Sequence, residues 1–202
     1  MHSIFLFITI KYYQQVGEII EKDIENDENK KVSIRKDYTR VESYSELVNL
    51  RKSITRASIG FRNFYRHINP DKSVGGFVEE TAEVGPAAFT ELQTLVIDHA
   101  KLLGSAKLLG HAMVGGWSIV SGNAVIGENA VVTDNAEVYG NAKIYGYAMV
   151  YGDATVKDNA LIRGKARVHG NAIISGNADI YGNREIKEYS AVNGNTIYKI
   201  KK

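Results

Sequence analysis

Residues 119–142 read IVSGNA-VIGENA-VVTDNA-EVYGNA, four successive six-residue phrases of one pattern. Extending this frame in both directions gives 21 hexads from Phe77 to Lys202, with no insertion or deletion. The second place of the hexad is Val, Ile or Leu in 19 hexads, and the sixth place is Ala in 15. A repeat of this regularity predicts an architecture made of stacked copies of one small unit.

The hexad puts its apolar residues on one side of an extended chain. The sixth place of one hexad and the second place of the next are separated by one residue, so their side chains point the same way. The fourth place is Gly in 12 hexads and the fifth is Asn in nine, and both residue types favour sharp bends. Each hexad is therefore predicted to be a short strand closed by a turn. A helix is excluded because inward spacings of two and then four do not match a period of 3.6.

The phrases VSGNA (120–124), VYGNA (138–142) and VHGNA (168–172) closely resemble the hexapeptide repeat of left-handed parallel β-helix proteins. The resemblance covers residues 77–202 and implies an all-β solenoid, a triangular prism with three hexads per coil and about seven coils. The left-handed coiling is implied only by this resemblance. The repeat period alone would not predict it, because crossovers between parallel strands are normally right-handed. Residues 18 apart would stack, which predicts one interior ladder from Val78, Val96, Val114, Val132, Val150, Val168 and Ile186.

Composition narrows the class of protein. The 202 residues are 44% hydrophobic and 24% charged, with a net charge of +2, which is not a disorder signature and disfavours a charge-driven nucleic-acid binder. The absence of cysteine excludes a disulfide scaffold, thiolate zinc sites and a cysteine nucleophile. The apolar run Ser3–Ile10 is about half the length needed to span a bilayer and lacks the flanks of a secretory signal. We therefore expect a cytoplasmic protein with no membrane partner.

Glycine marks one internal boundary, since 15 of the 19 glycines lie after residue 76. We predict a small α/β N-terminal region over residues 1–76, which caps the open first coil, and a β-helix over residues 77–202. Within the first region, Ser3–Tyr13 is predicted to be a strand and Gly17–Lys31 a helix. Ser43-Tyr-Ser-Glu46 has capping-box spacing and predicts a helix from about residue 45 to residue 57.

The stretch Arg62-Asn-Phe-Tyr-Arg-His67 mixes basic and aromatic side chains. Nucleic-acid surfaces share this composition, but we favour a helix end or a surface that docks on the prism. The entry Gly75-Gly-Phe-Val-Glu79, followed by the repeats, resembles a group of uncharacterised bacterial and phage hexapeptide proteins that are acyltransferase-like and carry a small N-terminal region.

The resemblance also implies a chemistry. Most characterised proteins of this kind are acyltransferases that use acetyl- or acyl-CoA, usually as trimers, with a histidine as general base. Here His99 and His111 hold fifth places in one predicted coil near Trp117 and are the candidate catalytic residues; otherwise each is a solvated corner residue. His169 holds an outward third place. The spacing of the three histidines does not support a zinc site, which needs three or four converging ligands, so no metal is expected.

Outward tyrosines offer a second surface feature. The 18-residue period predicts that Tyr151 stacks with His169, and that Tyr145 stacks with Arg163 and Tyr181. Such stacks either stabilise the sheet or form a flat contact surface, because Tyr is favoured in interface cores.

Two functions remain. The first is a rigid, non-catalytic β-helix that binds itself or a protein partner, with no cofactor expected. The second is a trimeric acyltransferase with acetyl-CoA as cofactor. The uninterrupted hexads favour the first, because the enzymes that the chain resembles commonly carry a loop that walls the acceptor pocket. Both hypotheses lead us to expect a homo-oligomer, a trimer or higher.

Overall fold

The computed structural model describes residues 38–194 and the strand at 197–198. The described residues from Thr39 onward form one compact unit. The predicted strand Ser3–Tyr13 and helix Gly17–Lys31 lie outside the described residues. In the described part of the chain, no helix is long and apolar enough to cross a membrane.

In the part of the chain that the structure describes, the elements are short apart from the helix and the three strands that follow it. The first five are β1 (Thr39–Arg40), α1 (Tyr44–Asn49), β2 (Arg56–Ile59), β3 (Arg62–Ile68) and β4 (Val74–Glu79). Twenty two-residue strands follow: β5 (Glu83–Val84), β6 (Phe89–Thr90), β7 (Leu95–Val96), β8 (Lys101–Leu102), β9 (Lys107–Leu108), β10 (Met113–Val114), β11 (Ile119–Val120), β12 (Val125–Ile126), β13 (Val131–Val132), β14 (Glu137–Val138), β15 (Lys143–Ile144), β16 (Met149–Val150), β17 (Thr155–Val156), β18 (Leu161–Ile162), β19 (Arg167–Val168), β20 (Ile173–Ile174), β21 (Asp179–Ile180), β22 (Glu185–Ile186), β23 (Ala191–Val192) and β24 (Ile197–Tyr198).

These strands form three sheets that the chain visits in rotation. The first sheet runs β1-β2-β3-β4-β7-β10-β13-β16-β19-β22, the second contains seven strands from β5 to β23, and the third contains seven from β6 to β24. The β2-β3 and β3-β4 pairs are antiparallel. From β4 onward the strands of a sheet pair in parallel, 18 residues apart, as Val114 pairs with Val132 and Val132 with Val150. The predicted fold class, an all-β parallel solenoid with little helix, is confirmed.

The interior is one continuous apolar column. The second-place and sixth-place side chains are fully buried from Val78 through Ile180, with few exceptions, and form a single core cluster. The predicted ladder is confirmed from Val78 to Val168, whereas Ile186 is only partly buried. At this end the inward sixth places change from Ala to Arg184 and Ser190. Arg184 is half-buried and Ser190 is exposed, so the apolar core becomes thinner toward the last described strands, although Val192 still belongs to it.

The corners turn through left-handed backbone at the fourth place of the hexad. The residue there is either Gly, such as Gly116 with φ of 65°, or an acidic residue, such as Asp98 with φ of 60°. The carboxylate of Asp98 accepts a hydrogen bond from the Gly116 N–H, one coil on, at 3.0 Å. Asp134 and Asp158 accept from Gly152 and Gly176 in the same way. Each of these three acidic corners is thus tied to the next coil.

Helix α1 begins as predicted and ends early. The Ser43 side chain accepts from the Glu46 N–H, and the helix then stops at Asn49, with Leu50 extended. The predicted continuation to residue 57 is wrong. The Arg66 guanidinium donates to the carbonyls of Leu50 and Ile54. These carbonyls therefore accept from a side chain that is distant in sequence and not from the N–H groups of a continuing helix.

Strand β3 and the residue that follows it close the N-terminal end of the third sheet. The Asn69 side chain accepts from the Thr90 N–H and donates to the Thr90 carbonyl, both at 2.9 Å. It thereby replaces the backbone of a preceding coil. His67 Nε2 lies 3.3 Å from the Ala88 carbonyl. The predicted region boundary, between Gly76 and Phe77, falls inside β4.

Candidate functional site

Among the described residues of the β-helix, the corner that follows the first sheet carries the most exposed aromatic side chain apart from Tyr189. Gly116 turns the chain, and the next residue, Trp117, therefore projects outward. Its backbone N–H donates to the Asp134 carbonyl at 2.7 Å, which fixes the base of the side chain against the following coil. The Trp117 side chain is 66% exposed.

His99 lies one coil before Trp117 and stacks on it. The ring centroids are 4.0 Å apart and the planes are 7° from parallel. His99 therefore covers the face of the indole that points toward the preceding coil, and the opposite face points toward Asn135. Two residues after Trp117, Ile119 also points outward and is 36% exposed. We refer to His99, Trp117 and Ile119 as the aromatic corner.

The structure does not bring the two candidate catalytic histidines together. His99 follows β7 of the first sheet, whereas His111 follows β9 of the third sheet. They are 12 residues apart, which is two thirds of an 18-residue coil, so they occupy different corners. Both side chains are exposed. Within residues 38–194, neither imidazole has a hydrogen-bond partner that would orient it as a base.

His169 lies in a stack that the 18-residue period predicts. Its ring lies 4.6 Å from the Tyr151 ring with planes 7° from parallel, which confirms the predicted pair. Nε2 of His169 is 3.1 Å from the Glu185 carboxylate. Burial raises the pKa of the Tyr151 hydroxyl. The stack lies on the outer face of the first sheet and uses the imidazole for cross-strand packing.

The second predicted stack forms in part. The Arg163 guanidinium lies 4.9 Å from the Tyr181 ring centroid and bonds both carboxylate oxygens of Asp179, at 3.1 and 2.8 Å. The Tyr145 ring instead packs over Gly127, where an added Cβ would lie 2.7 Å from it. Because Gly127 has no side chain, the Tyr145 ring can pack directly on its backbone.

The basic and aromatic stretch 62–67 is a docking strand. Arg66 is 4% exposed, and its guanidinium carbon lies 3.7 Å from the Phe77 ring centroid. Burial lowers the pKa of Arg66 to about 10, which still leaves it charged at neutral pH. Arg62 pairs with the carboxylates of Glu79 and Asp98. Burial also lowers the pKa of His67. These groups hold β3 to the prism and are not displayed for a nucleic acid.

Two open grooves lie elsewhere on the surface. One, of about 350 Å³, lies beside α1 and is lined by Val48, Asn49, Leu50, Glu91, Leu92, Gln93 and Gly110. The other, of about 480 Å³, lies on the third sheet and is lined by Glu128, Lys143, Tyr145, Gly146, Leu161, Arg163 and Gly164. Neither is lined by His99 or His111. Across the described ranges, no three His, Asp or Glu side chains are grouped as metal ligands.

Sequence reasoning identified Trp117 only as a neighbour of the histidines and did not single out Ile119. The available signal was the alternation Trp117-Ser-Ile119, which places two large apolar residues outward on either side of an inward one. At the position paired with Ile119, the neighbouring coils carry Lys101 and Glu137. Ile119 is therefore apolar between two charged neighbours, although Ile173 on the same sheet is also apolar and exposed.

No family model matches the chain, and a search of curated proteins also found no match.

Proposed function

We propose that the chain is a rigid β-helix binding or scaffold module that mediates self-assembly or binds a protein partner without catalysis. The observation that carries the proposal is the combination of a continuous, fully buried core with the exposed aromatic corner. A closely packed core holds its surface side chains in fixed relative positions, and exposed apolar side chains that lie next to one another are typical of interaction sites. The cytoplasmic location expected from the sequence belongs to this proposal.

The alternative is a trimeric acetyl-CoA-dependent acyltransferase of the hexapeptide-repeat type, with His99 or His111 as general base. The repeat pattern supports it, as does the exposed imidazole of His99 beside Trp117. The separation of the two histidines weighs against it. A general base works when a neighbouring group orients it toward the acceptor, and the described residues give neither imidazole such a neighbour.

A thermal-shift titration with acetyl-CoA separates the two functions. We expect no change in Tm up to about 0.5 mM ligand, with a sodium salt of equal ionic strength as control. A ligand that binds only the native state at 100 times its Kd stabilises it by about 2.7 kcal/mol. Clear stabilisation would overturn the non-catalytic proposal. The variants His99→Ala and His111→Ala would then be compared in acetyl-transfer kinetics to identify the base.

Light scattering on the full chain, over a hundredfold range of concentration, tests self-assembly. We expect a homo-oligomer. A discrete trimer supports the enzyme alternative, whereas a larger assembly supports the scaffold. A strict monomer removes self-assembly from the proposal and leaves binding to a protein partner.

A further inference from the structure

The aromatic corner is not required by the fold. At the place of Trp117, the next two coils carry Asn135 and Asp153, and the β-helix continues through both with the same core. Trp117 stacks on His99, but the β-helix does not need an aromatic side chain at this place, and both Trp117 and Ile119 remain exposed. Tryptophan is the residue type most enriched among interface residues that dominate binding energy.

The open side of the Trp117 ring is acidic. Asp134 and Glu137 lie in the next coil on either side of Asn135, and Asp153 lies one coil beyond. Glu137 pairs in register with Ile119, and Trp117 bonds the Asp134 backbone, so both acidic residues flank the position that the ring faces. One Asp134 carboxylate oxygen accepts from the Gly152 N–H. All three acidic side chains are exposed.

Among the described residues, the basic side chains of the neighbouring coils lie away from this side. Lys101 lies on the covered side of the ring, one coil before Ile119, and its ammonium pairs with Glu83 at 3.2 Å. Lys157 lies on the second sheet, two coils beyond the coil of Trp117. It holds the third place of its hexad, which is the end of the strand farther from the aromatic corner. A cation that approaches the free face of Trp117 therefore meets carboxylates and an electron-rich ring together.

We propose that the aromatic corner binds a protein partner through a cationic side chain, an arginine or a lysine, which stacks on the free face of Trp117 and donates to Asp134 and Glu137. Guanidinium and ammonium groups are attracted to the indole face, and an adjacent carboxylate strengthens the contact through a charge-assisted hydrogen bond. The inference rests on the proposed function, because it names the partner chemistry of the binding module.

The test uses the only tryptophan in the chain as the reporter. A hexa-arginine peptide is titrated into the full chain at about 0.15 M salt, where surface charges more than about 8 Å apart are largely screened. We expect a saturable change in Trp117 fluorescence. A hexa-citrulline peptide, which has nearly the same shape without the charge, should give none. No saturable change with hexa-arginine would overturn the inference.

Matched variants separate this site from general electrostatic attraction. Asp134→Asn combined with Glu137→Gln should weaken peptide binding roughly three- to tenfold, and the new amide oxygen at position 134 still offers an acceptor to the Gly152 N–H. Glu128→Gln removes an exposed carboxylate at a different corner and should leave the affinity unchanged. Equal losses in the double variant and in Glu128→Gln would overturn the inference.

A second readout does not depend on tryptophan emission. Anisotropy of a labelled hexa-arginine peptide should show weaker binding to Trp117→Leu, with only a small change in Tm, because the ring is largely exposed and loses only its stack on His99. Equal affinity for both proteins would contradict the inference. If Trp117→Leu changes the oligomeric state while the peptide never binds, the inference is overturned, because a second copy of this chain then occupies the corner.

Failures of the two proposals remain distinguishable. Stabilisation by acetyl-CoA, with peptide binding retained, overturns the non-catalytic function and leaves the cation site. Loss of peptide binding without stabilisation by acetyl-CoA overturns the cation site and leaves the binding module.

Discussion

At the scale of single residues, the fourth place of the hexad sets how closely the coils approach. Its left-handed backbone suits Gly, and an added Cβ at Gly116 would lie 2.6 Å from the Asp134 nitrogen. Asp or Glu enters this place at five corners with positive φ, and at three of them, Asp98, Asp134 and Asp158, the Gly one coil on donates to the carboxylate. The hydrogen bond compensates in part for a conformation that L-residues disfavour.

Gly116→Ala and Gly60→Ala provide a matched comparison. Both glycines have positive φ, but only Gly116 has backbone within reach of a new Cβ; at Gly60 nothing lies within 4 Å. We expect Gly60→Ala to cost about 1–2 kcal/mol from the left-handed backbone alone. Gly116→Ala adds overpacking and should cost about 2–5 kcal/mol in all. Urea unfolding measures both, and equal losses would show that the coils move apart freely.

At the scale of elements, β3 and the residue after it supply the hydrogen-bond partners that the first coil lacks on its N-terminal side. The first strand of the third sheet, β6, has no preceding coil to pair with in the described part of the chain, and Thr90 is fully buried. The Asn69 side chain satisfies both backbone groups of Thr90, and the Thr90 hydroxyl accepts from the Gly76 N–H. An exposed strand end of this kind would otherwise recruit other chains.

We expect Asn69→Ala to destabilise the protein by about 2–4 kcal/mol, because it leaves the buried N–H and C=O of Thr90 unpaired. The control is Asn63→Ala, since the Asn63 side chain donates to Glu80 at an exposed site and its loss should cost less than about 1 kcal/mol. Denaturation midpoints with unchanged slopes give both values. Equal effects of the two variants would show that Asn69 does not close the sheet.

The elements also show where prediction from sequence succeeded and why it stopped. The hexad period was sufficient for the buried Val ladder, because local spacing alone determines which side chains point inward. The end of α1 was not predictable locally, since the Leu50 and Ile54 carbonyls accept from Arg66, which lies 16 and 12 residues away. The role of Asn69 depends on Thr90, 21 residues later. The separation of His99 from His111 could be predicted from the period: with three hexads per coil, residues 12 apart occupy different corners.

At the scale of the whole molecule, the core cluster runs through every coil, and each coil contacts only its neighbours. Stability in such an array is approximately a sum of unit and interface terms. Val150 pairs in register with Val132 and Val168 in the middle of the stack, whereas Val192 lies on β23, the last strand of the second sheet. The same substitution should therefore destabilise coils on both sides at Val150 but only the final coils at Val192.

Val150→Asn should cost about 2–5 kcal/mol, because it removes apolar contact and buries an amide without a partner. Val192→Asn should cost less and affect only the final coils. Hydrogen exchange distinguishes them: the first should lower protection on both sides of residue 150, and the second only near residue 192. Near-native melting of Val150→Asn would contradict the inward assignment, and Lys157→Gln, at an outward place, serves as the neutral control.

Because stacked strands pair 18 residues apart, the length of the β-helix can change only in steps of one coil. Adding or deleting one block of that length would preserve every inward and outward assignment and change the length of the rod by a single strand spacing, about 4.8 Å. Any two surface groups on opposite sides of the altered block would move apart or together by that increment without a change in their bearing. Inserting or deleting a whole turn would therefore change the distance between surface groups in fixed steps and leave the interior packing unchanged.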